Sequence, residues 1–172
     1  LEFPGARGFG FIRKVEPAQL STFLTQAAID RGEPFLLKQL QTHHDDLFVI
    51  QYVEPYERNK EAVGLDIGSD ASRRQAALQA AYLNAPMLTA PITLVQQAEK
   101  TGRGFLFLLP IYQGAVAAES AARYQQLVGW SYAPLLIDEI LRPLADIDPD
   151  VQLQIKDLAN ADGQVFFQLA AA

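Results

Sequence analysis

Two adjacent histidines followed by two acids, His43-His44-Asp45-Asp46, are the first residues whose types suggest chemistry. Imidazole and carboxylate both ligate zinc, so a metal-assisted hydrolase could be built on this quartet. The spacing argues against it. Adjacent side chains point to opposite sides of an extended chain, the sequence holds only these two histidines, and no Glu-x-x-His pattern supports them. The quartet reads instead as a solvated loop between strands, without bound metal. Gly5, Gly8 and Gly10 mimic a phosphate loop, but they precede an apolar strand and lack the P-loop lysine. There is no cysteine and no Gly-x-Ser-x-Gly elbow, and Asp138-Glu139 falls on a solvent-facing helix side. No catalytic residue and no cofactor is assigned.

Asp66 is a different case. It stands inside the apolar run Val63-Gly64-Leu65-Asp66-Ile67, where period two sets it on the face opposite Leu65 and Ile67. Two readings follow. The carboxylate caps the next helix, or it is an acceptor that faces a cleft and takes an N–H from a ligand, since a buried carboxylate needs donors. Met87-Leu88-Thr89-Ala90-Pro91 is a strand broken by proline, which places it at an edge or bulge and frees backbone groups from the ladder.

The elements that must position these residues follow from periodicity. Residues 9–15 predict a strand. Pro17 then opens a helix whose face carries Leu20, Phe23, Leu24, Ala27 and Ala28, and Gly32 stops it. Strands are predicted over 35–40, 47–53 (central, being apolar on both faces), 62–67, 87–89, 92–96 and 105–112. A helix over 71–83, capped by Ser69 or Asp70, interrupts them. Residues 113–126 read as a linker or weak helix. A smaller unit then begins, with a strand over 127–132, a helix opened by Pro134, and a strand including Val151, Leu153 and Ile155. Asp162-Gly163 predicts a hairpin turn into a return strand over 165–169. The links are too short for parallel crossovers, so the sheets should be antiparallel.

The bulk properties agree with an ordinary globular chain. It has 172 residues, 49% hydrophobic and 20% charged, with 14 basic against 20 acidic side chains for a net charge of -6. That balance excludes a nucleic-acid partner and docking on an anionic membrane surface. The longest apolar run, 105–112, falls well short of the roughly 20 residues a spanning helix needs. Leu1 is not a natural start, which predicts a chain excised from something longer.

The order Phe3-Pro4-Gly5, Gly8-Phe9-Gly10-Phe11-Ile12-Arg13-Lys14-Val15, Tyr52-Val53-Glu54-Pro55, Asn59 and Ala62-Val63-Gly64-Leu65-Asp66 resembles the CHASE domain. Arg73-Arg74-Gln75-Ala76-Ala77-Leu78, Leu88-Thr89-Ala90-Pro91-Ile92-Thr93-Leu94-Val95-Gln96, Gly104 to Tyr112 and Gly129-Trp130-Ser131-Tyr132-Ala133-Pro134 continue it over nearly the whole chain. The resemblance implies an extracytoplasmic, periplasmic sensor of a membrane receptor. The fold would be α+β, with two PAS-like units of mainly antiparallel sheet: a membrane-distal ligand-binding unit over 1–113 and a smaller, truncated, membrane-proximal unit over 114–172. It implies signalling to a cytoplasmic histidine kinase or cyclic-di-GMP enzyme, and homodimerisation in the full-length receptor, largely through a stalk helix. The membrane would be reached only through segments outside this chain. In cytokinin-sensing members an aspartate reads the purine and a leucine of the Leu-Thr-x-Pro stretch adds backbone contacts. The matching positions are Asp66 and Leu88. Gln96-Gln97 stand where the plant proteins carry a threonine, so the ligand implied is adenine-like or another amine- or amide-bearing small molecule. Gln96 is expected as a second polar contact, and Tyr52 and Phe105 as pocket walls. A cytosolic PAS-like interaction module is the remaining alternative.

Overall fold

A computed structural model describes residues 5–93, 103–141, 152–156 and 165–169. Strand β1 (Phe9–Val15) ends at Glu16, and Pro17 opens a short 3-10 turn that leads into α1 (Leu20–Arg31). Gly32 ends α1 at φ 71°, a left-handed conformation that costs glycine nothing. Strand β2 (Leu47–Glu54), the short helix α2 (Tyr56–Asn59) and two 3-10 turns follow. Helix α3 (Ala71–Leu83) begins where the Asp70 carboxylate accepts from the Arg73 N–H, and ends on Asn84 at φ 50°. Strands β3 (Met87–Leu88), β4 (Ile92–Thr93) and β5 (Arg103–Tyr112), helix α4 (Ser120–Gln126) and strand β6 (Leu127–Leu136) complete the main body. A helix then starts at 137 and is described to 141, and β7 (Leu153–Lys156) pairs with β8 (Val165–Leu169) in a separate ladder.

The main sheet has the order β2-β1-β6-β5-β3, with β4 also on β5, and every ladder is antiparallel. Its two faces differ. Ile12, Phe48, Leu108, Trp130 and Tyr132 share the face covered by α3, where the indole of Trp130 donates to the Ala77 carbonyl at 3.0 Å. Ala76, Ala77, Ala80 and Ala81 give α3 a thin buried side, so it lies close on the sheet. The other face carries Val15, Leu47 and Val49 at the end where α1 sets Ala27 into the core.

Four expectations are corrected. Residues 35–40 and 62–67 are not regular strands: Lys38, Leu65 and Asp66 make isolated bridges, and 3-10 turns occupy 60–62 and 67–69. Strand β2 ends the ladder rather than sitting at its centre. Its apolar character on both faces has another cause, since 64–66 bond to its outer edge through Gly64 N–H to Ile50 O and Ile50 N–H to Leu65 O, both 2.9 Å. Pro134 does not open a helix. It lies in β6 opposite Leu106, a position that proline can take because Arg7 N–H reaches only its carbonyl.

The fourth correction concerns the division at 113/114. Strand β6, expected in the second unit, is inserted between β1 and β5 and fills the middle of the first sheet. The segment 113–126 therefore folds back within one body: Gln113 N–H donates to the Gln126 carbonyl, and α4 packs on α3. The fold class α+β with mainly antiparallel sheet stands. The hairpin turn expected at Asp162-Gly163 lies outside the described residues.

Candidate functional site

Asp66 is wholly buried, with 0% exposure. Oδ1 accepts from the backbone N–H groups of Phe48 (2.8 Å) and Gly68 (2.9 Å), which tie β2 to the 3-10 turn that Asp66 caps. Oδ2 accepts from Gln39 Nε2 (3.1 Å) and His43 Nε2 (2.7 Å). Four donors on two oxygens satisfy a carboxylate that would be costly to bury bare.

The network continues outward. His43 Nδ1 stands 3.2 Å from Arg74 Nη2, so the pattern assigns the ring proton to Nε2 and leaves Nδ1 to accept from the guanidinium. Arg74 also donates to the carbonyls of Gly68 (2.8 Å) and Asp46 (2.7 Å) and lies over the Phe48 ring. The Asp46 carboxylate accepts from the Tyr124 hydroxyl at 2.9 Å, with Lys14 Nζ at 3.7 Å. Burial, then the bond to Asp46, pushes the Tyr124 phenol above its usual range. The solvated-loop expectation thus fits His44, which is exposed, but not His43, whose two ring nitrogens are both engaged inside the protein. No cluster of three or more metal-ligating side chains occurs among the described residues.

Leu88 lies on the opposite edge. Along the sheet, β2 and β3 are four strand spacings apart, about 19 Å. Three residues, Thr89 to Pro91, face only Phe105 and Leu106 between the β3 and β4 pairings, which is the bulge expected of Pro91. Thr89 bridges it by accepting from Leu106 N–H through Oγ1 (3.0 Å) and donating its own N–H to Leu106 O (3.0 Å). Strand alternation then turns the Leu88 N–H and C=O away from β5. Tyr52 and Phe105 project from the face opposite α3, by their pairing with Phe11 and Leu135. They do not wall a pocket on the α3 face. Gln96 lies outside the described residues.

One candidate group was not singled out from the sequence. Met87, Leu108, Tyr132, Gly10 and Val53 form a continuous row across the α3 face, and Tyr132 sits near its middle. Gly10 leaves the room: a β-carbon there would collide with the Tyr52 carbonyl and the Tyr132 ring. Tyr132 is 2% exposed, and its hydroxyl has no hydrogen-bond partner among the described residues. Burial raises its pKa, so the group stays a neutral phenol that can donate and accept. The signal was present in the sequence, because period two sets Tyr132 on the same face as Trp130.

These features define a class: an α+β domain with a mainly antiparallel sheet and a buried polar network along one edge. The CHASE domain family matches residues 1–167, and the chain belongs to that family of extracytoplasmic sensor domains of signalling receptors. No curated protein matches the chain. Among the described residues no helix is long and apolar enough to cross a membrane.

Proposed function

We propose that this chain is the periplasmic, ligand-sensing region of a bacterial transmembrane receptor and binds a small molecule on the α3 face of its sheet. The observation that carries this reading is the buried hydroxyl of Tyr132, which has no hydrogen-bond partner among the described residues. An unmet polar group in a core is costly, and a ligand that completes it gains what the empty protein lacks. The ligand lies over β1, β6 and β5 on the side that reaches toward Asp66, while Leu88, on the far edge about 19 Å along the sheet, is too distant for the same small molecule. Asp66 contributes through Oδ2, the oxygen held only by side chains of 39–43. An N–H of an adenine-like, amine or amide ligand takes the place of Gln39 or His43 there. Gln96 supplies a further polar contact. Binding biases the receptor by its differential affinity for two states, and the output is a histidine kinase or a cyclic-di-GMP enzyme in a dimeric receptor.

Calorimetry tests the site, with adenine and simple amides and amines as probes on wild type and Tyr132→Phe. The loss of one buried hydrogen bond should weaken binding about tenfold in a variant that stays folded. Equal binding by the folded variant would remove Tyr132 from the proposed site.

A further inference from the structure

The opposite face of the sheet holds a second concave site. A cleft of about 480 Å³ opens between β1 and α1, on the side of Val15 and Ala27 rather than of α3. Its polar lining is Arg13, Lys14, Gln19, Thr22, Gln26 and Gln51, with Phe23 as an apolar wall and no carboxylate among the lining residues. The chain is acidic overall, yet this cleft is lined by two basic residues, neutral amides and a hydroxyl.

Arg13 is placed for use. It makes no hydrogen bond or ion pair among the described residues, whereas its neighbour Lys14, which also lines the cleft, sends its ammonium to Asp46 and Tyr124. Its backbone is fixed on both sides by ladders, opposite Val49 of β2 and Gly129 of β6. Gly129 has no side chain to crowd the guanidinium. A group rooted in a central strand holds its direction better than one on a loop. The amides are already oriented: Gln26 donates to Asp30 Oδ1 at 2.8 Å and Gln51 to the Tyr52 hydroxyl at 3.1 Å. Each keeps a carbonyl oxygen and a second N–H.

We infer that this cleft binds a small organic monocarboxylate: the carboxylate on the Arg13 fork, its apolar tail against Phe23, and its flanks against the glutamines and Thr22. A planar guanidinium matches a carboxylate in a bidentate pair. With the Lys14 ammonium engaged by Asp46 and the Tyr124 carbonyl, Arg13 is the cation in the cleft left without an ion pair among the described residues, which suits a single negative charge better than a phosphate. The site is separate from the Tyr132 face and stands whether or not that face binds a ligand.

Butyrate, titrated into the chain and followed by amide-resolved NMR, is the direct probe. Saturable shifts should centre on Arg13, Gln19, Thr22 and Gln51. Arg13→Gln, an exposed position whose loss leaves the fold intact, should weaken butyrate about tenfold or more, and Arg13→Lys should fall between. Phe23→Leu should weaken butyrate more than acetate. Butylammonium should give no saturable shift at these residues. Equal affinity of Arg13→Gln and wild type, shifts of the same size with butylammonium, or inorganic phosphate binding more tightly than butyrate would each overturn the inference.

Discussion

The β2 edge and the middle of the α3 face are both buried, but they are finished to different degrees. Around Asp66 every polar atom is met: four donors on two oxygens, and a histidine and an arginine that lock those donors in turn. Two strands away, Tyr132 is as deeply buried with its hydroxyl unmet. A fold keeps such a cost only where something else completes it, or where the neighbouring network holds the group in place. The contrast separates a region whose polar groups are paired within the protein from one in which a buried hydroxyl has no partner among the described residues.

The largest way to test that contrast is to empty the finished side. Asp66→Ala strands two backbone N–H groups and two side-chain donors in the core, and should lower stability by about 3–5 kcal/mol in urea denaturation. A loss under about 1 kcal/mol would mean that water replaces the carboxylate and that the edge is not locked. On the unfinished side the sign reverses. Without ligand, Tyr132→Phe removes an unsatisfied hydroxyl and should raise stability by about 1–2 kcal/mol. A lower denaturation midpoint would show that the hydroxyl is already partnered.

Alkali sharpens the same comparison. Burial raises the pKa of Tyr132, and burial with the Asp46 bond raises that of Tyr124. Each folded phenol therefore holds its proton where the unfolded one has released it. The contribution is complete below the ordinary tyrosine value of about 10 and is lost as pH rises above it. Denaturation midpoints should stay level from pH 8 to about 10 and fall beyond, with a shallower fall in Tyr132→Phe. The smallest effect belongs to the surface ion pair of Arg7 and Glu139. Arg7→Ala should cost about 1 kcal/mol or less, chiefly through the loss of an exposed pair.

How much of this was legible in the sequence depended on range. Elements whose causes are local were readable: β1, α1 with its Gly32 stop, α3 with its Asp70 cap, and the edge bulge at Pro91. Asp66 announced itself as a carboxylate among apolar residues, but its donors Gln39 and His43 come from a segment more than twenty residues away, and nothing local in the sequence brings that segment to Asp66. Strand β6 was misplaced for a related reason. The strand over 127–132 reads as the start of a second unit, with Pro134 opening a helix, and nothing local records that Ile12 and Pro110 will both flank Trp130. The unmet hydroxyl of Tyr132 is a property of the packed state alone.

The position of β6 has a mechanical consequence. It is stitched to β1 on one side and β5 on the other, and it runs without a break into the helix that starts at 137. A tug along that exit loads both ladders lengthwise, so their bonds must give way together rather than one after another. Force applied there is passed to the whole sheet as a rigid plate, and a change in the plate's tilt is returned along the same strand.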